Sequence, residues 1–282
     1  MRVFAAGATG VIGRRVTRSL VEQGHEVVAL TRSEDEAAKL KAMDAEAVIG
    51  DVFDARQLAE LVAAAAPDVL MHQLTDLRGG DRTANSRVRT AGTRNLVDAG
   101  LAAGVRRIVA QSIAWAYEPG DVPAAEHLPL DSAATGERHD TVAGIAALES
   151  AARELPEWVV LRYGLLHGPD TWYAPGGPMV AAALGGHLPA TADVTSFVHV
   201  DDAADAAVAA LAWPSGPVNV CDDEPAPGHD WLPVFCARAG APAPSTPDLP
   251  RTPWARGADN AAARALGWRP RWPTWRESLG SA

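Results

Sequence analysis

The sequence predicts an α/β protein built on a doubly wound parallel sheet, a Rossmann fold, with a smaller C-terminal substrate-binding region. Short apolar runs alternate with segments whose apolar residues recur at helical spacing, which is the pattern of repeated βαβ units. A glycine turn joins the first apolar run to the first helical segment. The chain has 282 residues, 48% of them hydrophobic, which is enough for one large sheet and its core.

The glycine turn is the most informative motif. The pattern predicts a buried strand at Arg2 to Ala6 and a helix at residues 11–23. The G-x-x-G-x-x-G motif that joins them is Gly7-Ala-Thr-Gly10-Val-Ile-Gly13. Such a turn gathers unpaired backbone N–H groups and the positive end of the helix dipole where a pyrophosphate can bind. A plain structural turn is the alternative. The expected cofactor contacts here are Gly7, Thr9, Gly10, Val11 and Ile12.

The residue at the end of the second predicted strand indicates whether NAD or NADP binds. An acidic side chain at this position usually bonds the ribose 2′-hydroxyl of NAD, whereas an arginine accommodates the 2′-phosphate of NADP. The chain has Arg32 here and no acid before Glu34, so NADP(H) is expected over NAD(H). The alternative is a solvated Arg32, with Glu34 or Asp35 turning back to the ribose.

Later elements supply the other expected contacts. Strands are predicted at residues 25–30, 47–49, 68–72, 107–110 and 157–162, and helices at 34–43, 54–65, 82–103 and 139–154, with Asp54 as an N-cap. In an open parallel sheet, ligands bind at the carboxyl ends of the strands. The expected contacts there are Asp51 and Val52 beside the adenine, then Gln73, Leu74, Ser112 and Tyr163.

Composition limits the possible partners. The net charge of −10 argues against nucleic acid or an anionic membrane, and a small-molecule substrate is expected. Two cysteines do not make a disulfide framework, and no leader or long apolar run is visible, so a cytoplasmic protein, possibly a homodimer, is expected. Cofactor binding is assigned to residues 1–163, to which 195–220 returns, and substrate binding to 164–194 and 221–282. The acids around His199 read as a helix N-cap, so no metal site is expected.

Seven groups of residues carry a family resemblance that spans almost the whole chain. They are the glycine turn, Gly50-Asp-Val52, His72, Gly92-Thr-Arg-Asn-Leu96, Leu161-Arg162 with Leu166-His-Gly-Pro169, Phe197-Val-His-Val-Asp-Asp202, and Leu266-Gly-Trp-Arg-Pro270 followed by Trp275. In this order they resemble the extended short-chain dehydrogenase/reductase superfamily, of the NAD(P)-dependent epimerase/dehydratase type. The resemblance implies a Rossmann fold and a nicotinamide cofactor.

The chain departs from that family at the proton relay. The family's Tyr-x-x-x-Lys pair falls on Thr141 and Ile145, and its helix asparagine falls on Arg89. No tyrosine has a lysine four residues on, because Lys39 and Lys41 are the only lysines. The remaining candidate catalytic groups are Ser112, Tyr117 and Thr141, and Ser112 is expected to hydrogen-bond the acceptor oxygen.

Three functions follow from these observations. The first is an NADP(H)-dependent reductase that transfers hydride to a carbonyl or quinone of an aromatic or polyketide-like molecule, which stabilises its own negative charge. The second is a nucleotide-sugar epimerase or dehydratase, although the strong base it needs is not evident. The third is a non-catalytic NAD(P)-binding sensor or partner-binding protein, because the relay is missing while the dinucleotide turn is kept.

Overall fold

The first of two compact units is built on a seven-stranded sheet. The computed structural model describes residues 1–77 and 82–280, with the Arg82 side chain excepted. This unit comprises residues 1–112, 132–161 and 207–217. Its strands are β1 (Arg2–Ala6), β2 (Glu26–Thr31), β3 (Glu46–Ile49), β4 (Val69–His72), β5 (Arg107–Ile113), β6 (Glu157–Tyr163) and β10 (Gly216–Val220), the last residues of β5, β6 and β10 counting with the second unit.

The strand order is β10-β6-β5-β4-β1-β2-β3. The pairs β1–β2, β1–β4, β2–β3 and β4–β5 are parallel, with Ala6 opposite Leu30 on one side and His72 on the other. The chain winds outward from β1 in both directions, so the order reverses between β1 and β4. In doubly wound sheets a ligand binds beside that reversal, at the carboxyl ends of the strands.

Helices on the sheet complete the predicted Rossmann fold. They are α1 (Gly13–Glu22), α2 (Glu34–Lys41), α3 (Ala55–Ala65), α4 (Arg82–Arg87), α5 (Thr93–Ala102), α6 (Gly136–Ala152) and α8 (Val200–Ala209), of which α8 lies largely in the second unit. The central strands read as continuous apolar runs because both faces are covered: Phe4, Leu70, Ile108 and Val160 are fully buried.

Most predicted elements are confirmed within one to three residues. The Asp54 carboxylate accepts a hydrogen bond from the Gln57 N–H at 3.0 Å, as expected of the α3 N-cap. The predicted helix over 82–103 contains a π-helical turn at Val88–Gly92 between α4 and α5, which periodicity alone does not reveal. Strand β5 runs three residues further than expected, so Gln111 and Ser112 belong to the strand itself.

The second unit comprises residues 113–131, 162–206 and 218–282. Its further elements are β7 (Leu165–His167), α7 (Pro178–Leu184), β8 (Val194–Thr195), β9 (Phe197–His199), β11 (Ala226–Pro227), α9 (Gly228–Arg238), α10 (Ala261–Ala265) and α11 (Trp275–Ser278). Strand β9 pairs with β7 outside the large sheet, and β8 pairs with β11. The assignment of cofactor and substrate binding to separate segments stays a prediction, and its last two residues, 281 and 282, lie outside the described residues.

An aromatic core holds the second unit together. Tyr173, Phe197, Trp231 and Phe235 meet edge to face with ring centroids 5.2–6.1 Å apart, and Trp275 is fully buried. Trp231 and Trp275 therefore pack a core. Over residues 1–77 and 82–280, no helix is long and apolar enough to cross a membrane.

The close approach of α1 to the turn before it generates a stability prediction. A Cβ atom on Gly13 would lie 1.9 Å from the Gly7 carbonyl oxygen, a distance that no relaxation of a flexible side chain can relieve. Gly13→Ala should lower the free energy of unfolding by about 1–3 kcal/mol, the usual cost of overpacking. Urea unfolding measures this difference.

Gly144→Ala is the matched control, because this glycine lies inside α6 and its Cβ would meet its nearest neighbour at an ordinary 3.4 Å. Alanine in a helix should leave stability unchanged or raise it by about 0.5 kcal/mol. Equal stabilities of the two variants would contradict the importance of the Gly7–Gly13 contact.

Candidate functional site

The glycine turn after β1 leaves backbone donors at the start of α1. Gly7 has φ +89°, which glycine adopts without strain, and its carbonyl accepts the Gly10 N–H at 3.0 Å. Among the described residues, the Val11 and Ile12 N–H groups donate to no protein acceptor, while Gly10 is exposed and Ile12 is buried. These donors and the dipole of α1 form a site for an anionic group.

The residue that directly follows β2 is the charged Arg32. It is exposed, and within the described part of the chain it forms no ion pair or hydrogen bond. Ser33 caps α2 by accepting from the Glu36 N–H. Glu34 and Asp35 lie in the first turn of α2, where carboxylates interact favourably with the helix dipole.

The loop after β3 is rigid at the residues expected beside the adenine. The Asp51 carboxylate accepts the Phe53 N–H at 2.9 Å, and Val52 is buried, with its carbonyl accepting from Asn95 Nδ2 at 2.9 Å. Asn95 belongs to the Gly92–Leu96 segment of the family resemblance. Its role here is to hold this loop against α5.

The carboxyl end of β4 meets the glycine turn. A Cβ on Gly7 would lie 2.4 Å from both the carbonyl carbon and oxygen of Gln73, so the two backbones are in contact. Leu74 is held from the other side, because Gln111 Nε2 donates to its carbonyl oxygen at 2.8 Å. The Gln73 side chain is 5% exposed, and its Oε1 accepts no hydrogen bond from a described residue. A buried amide oxygen without a donor is costly, so Oε1 is suited to accept one from a bound ligand.

His72 fastens β4 to the π-helical turn. The Leu74 N–H donates to Nδ1 at 3.2 Å, so the ring proton sits on Nε2, which lies 2.8 Å from Thr93 Oγ1. The Thr93 hydroxyl donates onward to the Val88 carbonyl. Burial lowers the pKa of His72 to about 4, which keeps the ring neutral. The sequence placed His72 at the strand end but gave no sign of its partner.

Ser112 is committed to a buried carboxylate. Its hydroxyl donates to Glu149 Oε1 at 2.8 Å, and Arg153 lies 3.4 Å from Glu149 Oε2. Glu149 is 1% exposed on α6. The one hydroxyl proton of Ser112 is thus used within the protein, and a ligand would meet only its oxygen lone pairs. The sequence feature that could have identified Glu149 is its position as an acid among the apolar residues of α6.

Thr141 and Ile145 occupy the positions expected for the family relay on α6. The Thr141 hydroxyl donates to the Glu137 carbonyl, one turn earlier, and Ile145 is fully buried. Ser112 and Thr141 therefore donate to different groups rather than to each other. Neither position supplies an ionisable side chain.

Tyr117 and Tyr163 lie in the second unit. The Tyr117 hydroxyl donates to Asn219 Oδ1 at 2.5 Å, and the Arg162 guanidinium lies 4.7 Å from the centre of its ring. Tyr163 is 4% exposed, and its carbonyl accepts the Ala114 N–H. A catalytic role for Tyr117 and a cofactor contact for Tyr163 stay predictions.

Arg89 lies in the π-helical turn and faces α6. A Cβ on Gly144 would be 3.6 Å from Arg89 Cδ, so the arginine stem rests on the helix that carries Thr141 and Ile145. The side chain is half-buried, and burial lowers the pKa of its guanidinium to about 10. Sequence comparison identified Arg89 only as a departure from the family asparagine.

The donors at the glycine turn, the cation beyond β2 and the acceptor on Gln73 together fit a dinucleotide. Residues 7–213 match a family model described as NAD(P)H-binding. The chain belongs to this family. It is a member of the extended short-chain dehydrogenase/reductase superfamily, as its motifs indicated, and an NAD(P)H-dependent oxidoreductase. Among residues 1–77 and 82–280, no group of three or more His, Cys, Asp or Glu side chains could hold a metal.

Relatives of this NAD(P)H-binding protein include two reductases. A 3-diazoavenalumate denitrifying reductase from a Streptomyces species is 42% identical over 99% of both chains. A ketoreductase of 4-hydroxy-2-methyl-3-oxo-4-farnesyl-3,4-dihydroquinoline-1-oxide from Stigmatella aurantiaca is 35% identical over 39% of this chain and 32% of its own. The UDP-glucose 4-epimerase of Thermus thermophilus, solved with NAD, has a TM-score of 0.75 at 23% identity, covering 99% and 97% of the chains, which shows the fold.

The buried neutral ring of His72 makes stability depend on pH. The folded-state pKa of about 4 lies below the ordinary value of 6.5, so between these values the unfolded chain binds more protons. Stability is therefore full above pH 6.5 and falls as the pH decreases towards 4. At pH 5, this group should cost about 2 kcal/mol relative to pH 7.5.

His72→Gln removes the titrating imidazole and places a neutral, hydrogen-bonding amide at the site. Urea unfolding at pH 7.5 and pH 5 should show a larger loss for the wild type than for the variant. His167, whose pKa burial and His199 lower to about 3, is present in both proteins and cancels. Identical pH slopes for the two proteins would rule out a titration linked to His72.

Proposed function

We propose that the protein is an NADPH-dependent reductase that removes a diazo group from an aromatic small molecule. The observation that supports it most strongly is the replacement of the proton relay by Thr141 and Ile145 on α6. A reductase without a tuned acid suits an acceptor whose reduction consumes no proton. The 42% identity to a diazo-compound reductase supports the same class of acceptor.

Removal of a diazo group balances without a proton donor. An aryl diazonium cation accepts a hydride, a C–H bond replaces the aryl C–N bond, and dinitrogen leaves with the electron pair of that C–N bond. The two electrons come from the dihydronicotinamide, which is oxidised to the nicotinamide cation. No proton is consumed in the sum, so a threonine and an isoleucine suffice where a carbonyl reductase needs an acid.

The protein contributes binding, orientation and exclusion of water. The cofactor supplies hydride when it is bound. The glycine turn and α1 would hold the pyrophosphate, Arg32 the 2′-phosphate, Asp51 and Val52 the adenosine, and Gln73 Oε1 would accept a hydrogen bond from the cofactor. The Ser112 oxygen, whose proton is donated to Glu149, would be available to a ligand only as an acceptor. These contacts would position the dihydronicotinamide relative to the substrate. Because dinitrogen diffuses away, the step is irreversible.

A carbonyl or quinone of an aromatic or polyketide-like molecule is the second candidate acceptor. The ketoreductase relative, with 35% identity over part of the chain, favours it. A quinone stabilises its own reduced oxygen, so it also tolerates a weak acid. For this acceptor, Thr141 is the hydroxyl that would contact the reduced oxygen, because the Ser112 proton is donated to Glu149.

An epimerase or dehydratase is less favoured. Oxidation of a sugar hydroxyl needs a strong base, and the two α6 positions of the relay carry none. The sugar-nucleotide enzymes among the solved structures are about 20% identical, which supports a common fold rather than a common substrate.

Arg32 should give preference for NADPH over NADH. Arg32→Ala should weaken NADPH binding by roughly 1.5–3 kcal/mol, or about 10- to 150-fold, because a charge-assisted contact to the 2′-phosphate is lost. NADH binding should change little. Titration of both nucleotides by fluorescence gives the four dissociation constants.

Arg18→Ala removes the same charge from an exposed position on α1 and serves as the control. It should leave both constants within about twofold, since a solvated charge on another element acts only through screened Coulomb forces. Equal affinity of the wild type for NADPH and NADH would show that the assignment of Arg32 is wrong.

The two acceptor classes should respond differently to loss of the hydroxyls. With 3-diazo-4-hydroxybenzoate and NADPH, the protein should release dinitrogen and 4-hydroxybenzoate, and Thr141→Val should change turnover by less than about threefold. With 1,4-naphthoquinone, Thr141→Val should lower any turnover by about 10- to 1000-fold, because the hydroxyl that would turn from the Glu137 carbonyl to the reduced oxygen is lost. Nicotinamide absorbance and product chromatography measure both reactions.

Lys39→Arg together with Lys41→Arg is the control for a hidden lysine relay. Both lysines lie on α2, far along the chain from α6, and the substitution should leave turnover unchanged. Quinone turnover without diazo turnover would favour the second candidate. Neither reaction, in a folded protein that binds NADPH, would overturn the proposed function.

A further inference from the structure

Among the described residues, none supplies a counter-ion to the Arg89 guanidinium. This guanidinium forms no hydrogen bond, ion pair or ring contact with any described residue. Neighbouring arginines differ: Arg87 stacks on Phe53 at 4.0 Å, and Arg94 pairs with Asp98 and Glu154 at 2.6 Å. A half-buried charge without a partner costs free energy, so a group that binds here would recover it.

The position of Arg89 relates it to the reaction centre. Its stem rests at Gly144, which lies three residues after Thr141 and therefore on the same face of α6. The π-helical turn that carries Arg89 is itself anchored to the carboxyl end of β4 through Val88, Thr93 and His72. The cation is thus fixed to the two elements that border the expected substrate position.

We propose that Arg89 binds the carboxylate of an anionic aromatic substrate and so sets the orientation and class of molecule that the enzyme accepts. This inference rests on the proposed function, because it assigns a substrate group to the same site. One guanidinium presents a planar pair of donors that matches the two oxygens of a carboxylate. The name of the 42% identical reductase also describes a carboxylate anion.

Charge also orients the substrate. A diazonium carboxylate has a positive and a negative end, and Arg89 attracts one while it repels the other. The carboxylate therefore turns towards the π-helical turn, and the diazo group turns away from it. Burial shifts the guanidinium pKa to about 10, so Arg89 stays charged at neutral pH and this preference persists.

Binding of unreactive probes tests the site independently of the chemistry. Cinnamate and its neutral carboxamide are titrated against the protein saturated with NADP⁺, and calorimetry gives each dissociation constant. The wild type should bind cinnamate about 10- to 100-fold more tightly than cinnamamide, the usual value of a charge-assisted hydrogen-bonded pair. Equal affinities in the wild type would overturn the proposal without any variant.

Substitution then assigns the preference to one residue. Arg89→Met should abolish the preference for the carboxylate with cinnamamide binding unchanged, and Arg89→Lys should retain part of it. Arg87→Met is the matched control and should behave as wild type. Equal losses for both probes in Arg89→Met would show a structural role for Arg89 and overturn the proposal. If that variant does not fold, the Arg89→Lys constants and the wild-type comparison decide.

The outcomes separate this proposal from the proposed function. A carboxylate preference without diazo turnover would support the anion site and refute the chemistry. Diazo turnover without the preference would support the chemistry and refute the role of Arg89. Uridine diphosphate is the third probe, and tighter binding than cinnamate with the same dependence on Arg89 would assign the cation to a nucleotide and overturn the carboxylate.

Discussion

The contact of Gly7 with Gln73 and Gly13 is the constraint on which the cofactor edge depends. The end of β1, the end of β4 and the start of α1 come together at this one residue, with no space for a Cβ atom. Because the backbones are in contact, the donors of the turn and the Gln73 amide are held in fixed relation. The site is therefore formed by main-chain packing before any ligand binds, which reduces the entropy lost on binding.

Periodicity and turn chemistry predicted the first unit well, because its strands and helices follow each other closely in the sequence. Strand β1 matches at both ends, and Asp54 caps α3 as expected. The pairing of β7 with β9 was not predicted, since it joins segments about thirty residues apart and depends on tertiary packing. The same reason explains Asp202, which was expected to contribute to a helix N-cap. It lies in the first turn of α8, and its carboxylate accepts the Arg271 and Trp272 N–H groups.

The site was predictable where the motif is local and not where it depends on neighbours from distant segments. The glycine turn and Arg32 follow from a few consecutive residues. The partners of Ser112 and His72, which are Glu149 and Thr93, lie 37 and 21 positions away. The state of Arg89 follows from the absence of a counter-ion among residues 1–77 and 82–280, and a sequence cannot show which charges remain unpaired after folding.

The π-helical turn at Val88–Gly92 also affects how relatives are aligned. A turn of this kind takes in one residue more than an α-helical turn, which advances the angular phase of every later residue by about 100°. The turn itself packs against α6, and Leu96 and Val97 after it are buried in the sheet core. A relative with an uninterrupted helix would need a one-residue gap at this turn. Without the gap, each residue on one side of the turn would be aligned with a residue on a different face of the helix.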